Sequence, residues 1–421
     1  MKIVQSQIKD KTLAKEGKLK IEWAENHMPV LMRIREEFKK TKPFKDWKIA
    51  TCLHITKESA VLTRTLAAGG ALVSLAGCNP LSTQDDVAAA LADEGFYIYG
   101  SRGMSNKEYY DNINYALDIK PDITIDDAGD LFSTVHTTRK ELLQHIKGGC
   151  EETTSGIHRL RAMEKEGVLK YPMIAVNDAR TKHLFDNRYG TGQSAFDGIL
   201  RATNVLISGA VVVIVGYGWC GRGLAARARG LGGLVIVTEV DAVAALEARM
   251  DGYQVMSIDE ASKLGDIFVT ATGNKHVIEE KHLKNMKDGA VLSNAGHFNI
   301  EIDTVALEKI SKKKRIMRPN CVEYTLANGH KLYLLAEGRL VNLSAAEGHP
   351  SEVMDMSFST QALSAEYIRN NYQSLSPQVY NTPPEQDQRI ASLKLRSLGV
   401  TIDTMTVEQK KYLSGWQEGT Q

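Results

Sequence analysis

Val211-Val-Val-Ile-Val-Gly-Tyr-Gly-Trp-Cys-Gly-Arg-Gly223 decides the fold. Its five β-branched residues, Val211 to Val215, predict a strand covered on both faces, as in a parallel sheet. Gly216, Gly218 and Gly221 follow with G-x-G-x-x-G spacing, and Leu224-Ala-Ala-Arg-Ala-Arg229 continues as a helix. Gly216 permits the tight turn, Gly218 lets a pyrophosphate approach the backbone, and Gly221 lets helix pack on strand. The pyrophosphate meets the free N–H groups of the helix N-terminus. A second strand, Leu234-Val-Ile-Val-Thr-Glu239, ends in a carboxylate 18 residues after Gly221. Such an acid accepts from both ribose hydroxyls and repels a 2′-phosphate, so the motif implies NAD rather than NADP.

A chain of 421 residues predicts two or three domains with real cores. With 52 basic and 51 acidic residues, it gives no electrostatic reason to expect nucleic acid or an anionic membrane as partner. The five cysteines, at 52, 78, 150, 220 and 321, show no C-x-x-C pairing. They imply reduced thiols in a cytoplasmic protein, with neither disulfides nor a metal centre. Met1-Lys-Ile-Val-Gln-Ser-Gln7 is polar and has no apolar core of a signal peptide. No window approaches the apolar length of a membrane span.

The glycine motif sits at mid-chain, and the first half alternates strand and helix on its own account. Strands are expected at 47–54, 71–79, 96–99, 122–127 and 173–177, with helices such as 59–68 and 85–93 between them. This alternation predicts an α/β chain of two doubly wound parallel-sheet domains. The boundaries place a substrate domain at 1–180 and 350–382 and the NAD-binding domain at 190–347. A small oligomerisation segment follows at 383–421. Beyond Glu239, strands are expected at 266–273 and 290–296, then a hairpin over 324–335 turning at Asn328-Gly329. Residues 353–371 predict an amphipathic helix, and the polar tail after Ser376 a last helix near 407–416. Ligands of wound sheets bind at the carboxyl ends of strands, where His54, Asn79, Asp126, Asp127, Asn177 and Asp178 all fall.

Lys182 and Asp186 stand four apart, which suits an exposed helix salt bridge worth a few tenths of a kcal/mol. Their place between a strand end and the cofactor domain equally suits a lysine and carboxylate converging on a sugar hydroxyl. His54 is either a satisfied core histidine or, beside Thr56 and Glu58, a group for acid–base work. Asp126-Asp127 is either a solvated turn or, if buried, a pair of carboxylates that raise each other's pKa. Glu151-Glu-Thr-Thr-Ser155 suits a capped helix start. No metalloprotease helix motif, nucleophile elbow or P-loop is present.

Together these pieces resemble the S-adenosylhomocysteine hydrolase family. The resemblance runs through Ala24-Glu-Asn-His-Met-Pro29, Cys52-Leu-His-Ile-Thr-Lys-Glu58, Cys78-Asn-Pro-Leu-Ser-Thr-Gln-Asp85 and Asp126-Asp127. It continues through Cys150-Glu-Glu-Thr-Thr154, Val176-Asn-Asp178, Lys182 and Phe185-Asp-Asn187. Gly216-Tyr-Gly218, Gly296-His-Phe298, Ala336-Glu-Gly-Arg-Leu-Val-Asn342 and Gly348-His-Pro350 complete it, so nearly the whole chain is covered.

The resemblance implies a tightly held NAD⁺ and transient oxidation of the substrate's ribose 3′-hydroxyl. Elimination of homocysteine, addition of water and reduction of the ketone follow. It further implies that Lys182, held by Asp186 and Asn187, takes the 3′-hydroxyl proton as a neutral amine. Asp127 matches the acid–base position near the 4′ carbon, and His54 the group that handles the leaving thiol and incoming water. His297 matches a position near substrate and nicotinamide. Thr56 and Glu58 match adenine-binding positions, and Glu152, Lys182, Asp186 and His349 substrate-binding ones. On the cofactor, Glu239 matches the adenosine-ribose acid, while Thr153, Thr154, Asn187 and Asn342 match the nicotinamide end. Many members are homotetramers whose Lys/Tyr-bearing tail caps a neighbour's NAD. Trp416-Gln-Glu-Gly-Thr-Gln421 has neither residue, and Thr191 stands where the family often has cysteine. Some relatives act on the inosyl compound and others are inactive NAD sensors, so both remain open as alternatives. A 2-hydroxy acid dehydrogenase shares the architecture, but His54, Asp127, Lys182, Asp186 and Asn187 together exceed what hydride transfer needs.

Overall fold

The computed structural model describes residues 3–419. Met1, Lys2, Thr420 and Gln421 lie outside it, and with them the first residues of the polar N-terminal stretch and the last of the tail.

Six strands of the first half are β1 (Lys48–Leu53), β2 (Leu72–Gly77), β3 (Tyr97–Tyr99), β4 (Ile123–Asp126), β5 (Gly148–Glu151) and β6 (Met173–Ala175). The second half carries β7 (Val211–Val215), β8 (Leu234–Thr238), β9 (Gln254–Val255), β10 (Ile267–Thr270) and β11 (Val291–Asn294). After them come β12 (Ser311–Arg318), β13 (Cys321–Leu326) and β14 (Lys331–Leu335), and the chain returns to the first sheet with β15 (Val379–Asn381). The first sheet has the order β15-β6-β5-β4-β1-β2-β3, the second β12-β13-β14-β11-β10-β7-β8-β9. The first is parallel throughout. The second is parallel except at β12, β13 and β14, which pair antiparallel as a meander.

Apolar clusters cover both faces of each sheet, so both are wound on two sides. Local chemistry fixes the helix starts. Thr56 and Ser59 form a reciprocal capping box ahead of the helix Lys57–Ala68, and Ser105 with Glu108 does the same for Asn106–Leu117. No helix among the described residues is long and apolar enough to cross a membrane.

Four strands escape the sequence reading. β5 is Gly148-Gly-Cys-Glu151, whose two glycines carry no strand signal, and β9 and β15 are only two and three residues long. β12 reads Ser-Lys-Lys-Lys-Arg-Ile-Met-Arg, a run of charge that suits an exposed edge rather than a core strand. The expected strand 173–177 stops at Ala175, because Val176–Asp178 tightens into a 3₁₀ turn that aims Asn177 at the sheet's carboxyl edge.

The segment 383–421 does not stand apart from the first domain over its whole length. Helix Pro384–Ser397 buries Ile390 in the first domain's core, and Asp387 accepts from the backbone N–H groups of Arg180 and Thr181 at 2.9 Å. Lys394 reaches Asp355 at 2.8 Å, a fully buried carboxylate that also accepts from the backbone N–H groups of Val30 and Leu31. Only from Arg396 to Gly419 is every residue exposed.

Candidate active site

Two segments cross between the domains. The outward one runs from β6 through the short helix Arg180–His183 and the wide turn Asp186–Gly190 into helix Thr191–Thr203. The return runs from Val341–Ser344 through Gly348-His-Pro350 into helix Ser351–Asn371. Lys182 sits on the first and is almost wholly buried, which excludes an exposed salt bridge. Its Nζ donates to Asn187 Oδ1 at 2.9 Å and Asn177 Oδ1 at 3.3 Å, and lies 3.5 Å from Asp186 Oδ2 and 3.7 Å from Glu152 Oε1. The second segment secures the carboxylates. Ser357 Oγ donates to Asp186 at 2.7 Å, His349 Nδ1 lies 2.9 Å from Asp186 Oδ1, and Gln361 Nε2 donates to Glu152 at 2.5 Å.

Burial works to neutralise Lys182, but Asp186, Glu152 and Asp127 outweigh it and raise the pKa above the ordinary lysine value. The resting amine is therefore charged, so the neutral form that the resemblance implies for the working lysine needs a nearby acceptor for its proton. Burial works to raise Asp186 too, but the charges of Lys182 and His349 overcome it and hold this carboxyl well below the usual range. Burial dominates at Glu152, whose carboxyl is raised against the pull of Lys182.

Asp127 is the centre of a second cluster. His54 Nε2 lies 3.4 Å from its Oδ2, His297 Nδ1 lies 3.4 Å from its Oδ1, and the Cys78 thiol donates to Oδ2 at 3.7 Å. The ligand atoms of His54, Cys78 and Asp127 all lie within 4.8 Å of one another. His54 Nδ1 pairs with Ser82 Oγ at 2.6 Å. Burial depresses His54 to about 3 and His297 to about 4, so both imidazoles are neutral at pH 7. Asp127 is raised, by burial first, with His297 and Lys182 opposing. Its neighbour Asp126 is turned away, accepting from the backbone of Phe132 and Asp127 at 2.9 Å each. Burial, not repulsion between adjacent carboxylates, is thus the leading cause of both shifts.

At the far end Glu58 Oε1 accepts from Ser351 Oγ at 2.6 Å, with Lys57 Nζ 3.3 Å away. Lys57 also reaches Glu347 Oε2 at 3.1 Å, so it is buried and spans the domains. Thr56 caps its helix from the same corner.

The glycine turn has the shape that a dinucleotide needs. Gly216 holds φ +98°, a conformation natural only to glycine, and a Cβ on Gly221 would stand 2.0 Å from Gly216 O. Gly218 faces open space, with nothing within 4 Å of where its Cβ would be. No side chain caps the helix Trp219–Gly230 that starts there, so its first N–H groups are free for an anion. Glu239 is held against this turn by the backbone N–H groups of Tyr217 at 2.6 Å and Val240 at 2.7 Å. Asn342 Oδ1 is buried without a hydrogen-bond partner, a free acceptor for a ligand N–H. Thr153 Oγ1 already donates to Glu151 at 2.8 Å and accepts from Ala128 N–H at 2.8 Å, so its hydroxyl shapes the pocket wall. These residues fit NAD.

A cavity of about 920 Å³ joins the three regions. Every residue given a catalytic, substrate or cofactor role from the sequence lines it except Gly221, whose part is packing: His54, Thr56, Glu58, Asp127, Glu152, Thr153, Thr154, Lys182, Asp186, Asn187, Gly216, Gly218, Glu239, His297, Asn342 and His349. Of the other strand-end residues Asn177 lines it, whereas Asn79, Asp126 and Asp178 do not. The sequence reading missed Ser82, Ser351, Ser357 and Gln361, and it left Asn177 without a role. A signal existed for three of them. Helix 351–371 buries Ser351, Ser357, Ser359, Thr360, Gln361 and Ser364, a polar stripe where an ordinary core helix is apolar.

Residues 5–144 match the family described as S-adenosyl-L-homocysteine hydrolase, and residues 187–348 its NAD-binding domain. The chain is 60% identical to the S-inosyl-L-homocysteine hydrolase of Methanocaldococcus jannaschii, covering 98% of this chain and 100% of that one. It is 60% identical to the adenosylhomocysteinase of Saccharolobus solfataricus (98% and 99% covered) and 59% to that of Pyrococcus abyssi (98% and 98%). The chain belongs to the S-adenosylhomocysteine hydrolase family. It is a hydrolase of that family, its cofactor is NAD, and the glycine turn lies within the matched NAD-binding domain.

The protein as purified, with nothing added, should release NAD on denaturation and no NADP. Glu239→Ala should weaken NAD retention, since a carboxylate hydrogen bond contributes about 1.5–3 kcal/mol. NADP in the supernatant would overturn the role given to Glu239.

Proposed function

We propose that the chain hydrolyses S-adenosyl-L-homocysteine reversibly to adenosine and L-homocysteine, with site roles as follows. The carrying observation is that the Lys182 and Asp127 clusters open on one chamber with the NAD cradle. Bound NAD⁺ supplies reversible oxidation at the ribose 3′ carbon. The protein's share is proton handling. Asn177 and Asn187 aim Lys182 Nζ at the 3′-hydroxyl. Glu152, raised by burial and 3.7 Å away, takes the ammonium proton, leaving a neutral amine beside a neutral acid. The amine then accepts the hydroxyl proton. Once the 3′ carbon is a ketone, the 4′ C–H is acidic, and Asp127 takes that proton. The thiolate of homocysteine leaves the 5′ carbon and is protonated through His54, whose neutral imidazole stands 3.4 Å from Asp127. Water adds to the 5′ carbon by the same relay in reverse, and the 4′ proton returns from Asp127.

Lys182→Ala should leave the fold intact and reduce hydrolysis, read as free thiol, to below a tenth of wild type, a loss above about 1.4 kcal/mol. Asp127→Asn should still oxidise the substrate, seen as a rise in NADH absorbance on a single turnover, but should stall at exchange of the 4′ proton. A Lys182→Ala enzyme above a tenth of wild-type rate would refute the base assignment. A fully active wild type excludes the NAD-sensor alternative.

The 6-amino group of adenine suits Glu58, which accepts. Hypoxanthine presents an oxo group there, leaving acceptor against acceptor at a cost of about 1–3 kcal/mol. The inosyl reading is favoured by one observation, the Lys57 ammonium 3.3 Å from Glu58, which can donate to an oxo group if it turns into the chamber that Glu58 lines. Ion pairing of Lys57 with both Glu58 and Glu347 opposes that use. S-adenosylhomocysteine should therefore be preferred over S-inosylhomocysteine by roughly ten- to a hundredfold in kcat/KM. Equal rates, or a Glu58→Lys variant that still prefers adenine, would show that Glu58 does not read the base.

We also infer a homotetramer working in the cytoplasm. Support comes from the exposed stretch beyond Arg396, which carries Leu398, Val400, Ile402, Met405, Val407, Leu413 and Trp416 against nothing in its own chain. Light scattering at micromolar concentration should give a tetramer's mass, and a monomer would refute the assembly.

A further inference from the structure

The relay above uses His54 and Asp127 but gives Cys78 no task, although its thiol is buried within reach of both. These three residues come from adjacent strands. In the parallel register Leu53 pairs with Gly77 and Cys52 with Asp126, so His54, Cys78 and Asp127 leave the carboxyl ends of β1, β2 and β4 side by side. No sequence motif announces them, because the ligands are brought together by the sheet and not by spacing along the chain.

We propose that His54 Nε2, Cys78 Sγ and the Asp127 carboxylate form a binding site for a thiophilic divalent cation, with Zn²⁺ the best fit, and that the ion blocks turnover reversibly. At ordinary zinc–ligand lengths, tetrahedral angles separate nitrogen from oxygen by about 3.4 Å and sulfur from oxygen by about 3.6 Å. The structure has His54 Nε2 at 3.4 Å and Cys78 Sγ at 3.7 Å from Asp127 Oδ2. Two of the three separations thus match without an ion, and the third, between His54 Nε2 and Cys78 Sγ, is within 4.8 Å.

Three further observations support the site. The Ser82 hydroxyl donates to Asn79 O at 3.4 Å, so it accepts from His54 Nδ1–H; that tautomer leaves the lone pair on Nε2 and fixes the ring, as a hydrogen bond to the far nitrogen does for metal-binding histidines. Asp127 is 6% exposed and its Oδ1 has no hydrogen-bond partner, so the carboxylate has unused accepting capacity. His54 and Asp127 line the chamber, which gives the ion an entry path and leaves a fourth position for water or a ligand thiol. A set of one sulfur, one imidazole and one carboxylate favours zinc or cadmium over magnesium or calcium. Binding releases one proton: the thiol becomes a thiolate bonded to the cation. Thiolate and carboxylate together cancel the ion's two charges, which makes its burial tolerable.

Inhibition rests on the catalytic reading of His54 and Asp127, whereas binding does not, and the experiment separates them. Purified NAD-loaded protein is titrated with Zn²⁺ by calorimetry and with Cd²⁺ by ultraviolet absorption, and hydrolysis is followed in parallel. One ion per chain, a thiolate-to-Cd²⁺ charge-transfer band, and inhibition relieved by EDTA and by excess substrate are expected. Cys78→Ser should keep metal-free activity and lose the band, and its Zn²⁺ inhibition should weaken by roughly tenfold or more. Cys220→Ser, the control thiol, should change neither. Absence of the band in wild type, or a band that survives Cys78→Ser, overturns the site. If Cys78→Ser does not fold, the wild type still decides: Cd²⁺ binding that saturating adenosine does not displace also overturns it. One ion bound with full turnover upholds the site and instead overturns the roles given to His54 and Asp127.

Discussion

An ammonium group cannot be buried without partners, since removing it from water costs several kcal/mol, and Lys182 is almost wholly buried. Two carboxylates and two amide oxygens surround it, drawn from three parts of the chain. Glu152 follows β5, Asn177 lies in the turn after β6, and Asp186 and Asn187 open the wide turn into the cofactor domain. Asp186 and Glu152 are in turn held by Ser357 and Gln361 from the helix that returns from that domain. Satisfying one lysine thus requires both crossings to be in place, and the chain has to complete the second sheet before the first domain is finished. The two domains are separate in topology but share the solvation of this charge.

The same argument explains where the chemistry sits. Parallel strands place all their carboxyl ends on one edge, and both sheets turn that edge toward the common chamber. Because the site is buried, desolvation is the largest single influence on His54, His297, Asp127, Glu152, Lys182 and Asp186, and at the last two the neighbours together reverse it. The two histidines lose their protons, the carboxylates of Asp127 and Glu152 gain proton affinity, and Lys182 and Asp186 hold each other charged. A carboxylate of raised proton affinity is the better base, which is what the transfers proposed for Asp127 and Glu152 need.

How much of this was legible depended on which physical signal each residue carries. The strands Val211–Val215 and Leu234–Thr238 and the helix Asp85–Asp93 emerge within a residue of their expected ends, because burial on both faces or a clear helical period marks them. β5 with its glycines and β12 with its charges are strands by pairing alone, and pairing leaves no mark on a single sequence. For the site, identities at strand ends were enough to name His54, Asp127 and Lys182. Ser351, Ser357 and Gln361 were not named because their polar stripe marks a helix face without telling which partner each residue meets. Protonation was the least legible property. Neighbours that decide the charge of Lys182 come from positions 127, 152 and 186, and only the fold sets their distances.

Lys57 shows how recognition and domain arrangement are tied. Its ammonium lies between Glu58, in the substrate domain, and Glu347, on the return crossing. Glu347 is half-exposed, whereas Glu58 is buried, so the pair with Glu58 is screened least and is the stronger of the two. A purine that donates to Glu58 shares that carboxylate with Lys57 and leaves the lysine free to hold Glu347. A purine that accepts at the same place must draw the lysine toward itself and away from the crossing. On the proposed reading, adenine recognition and the interdomain contact therefore reinforce each other, while an oxo group sets them in competition. One carboxylate would then read the base, and one lysine would carry the consequence to the return crossing.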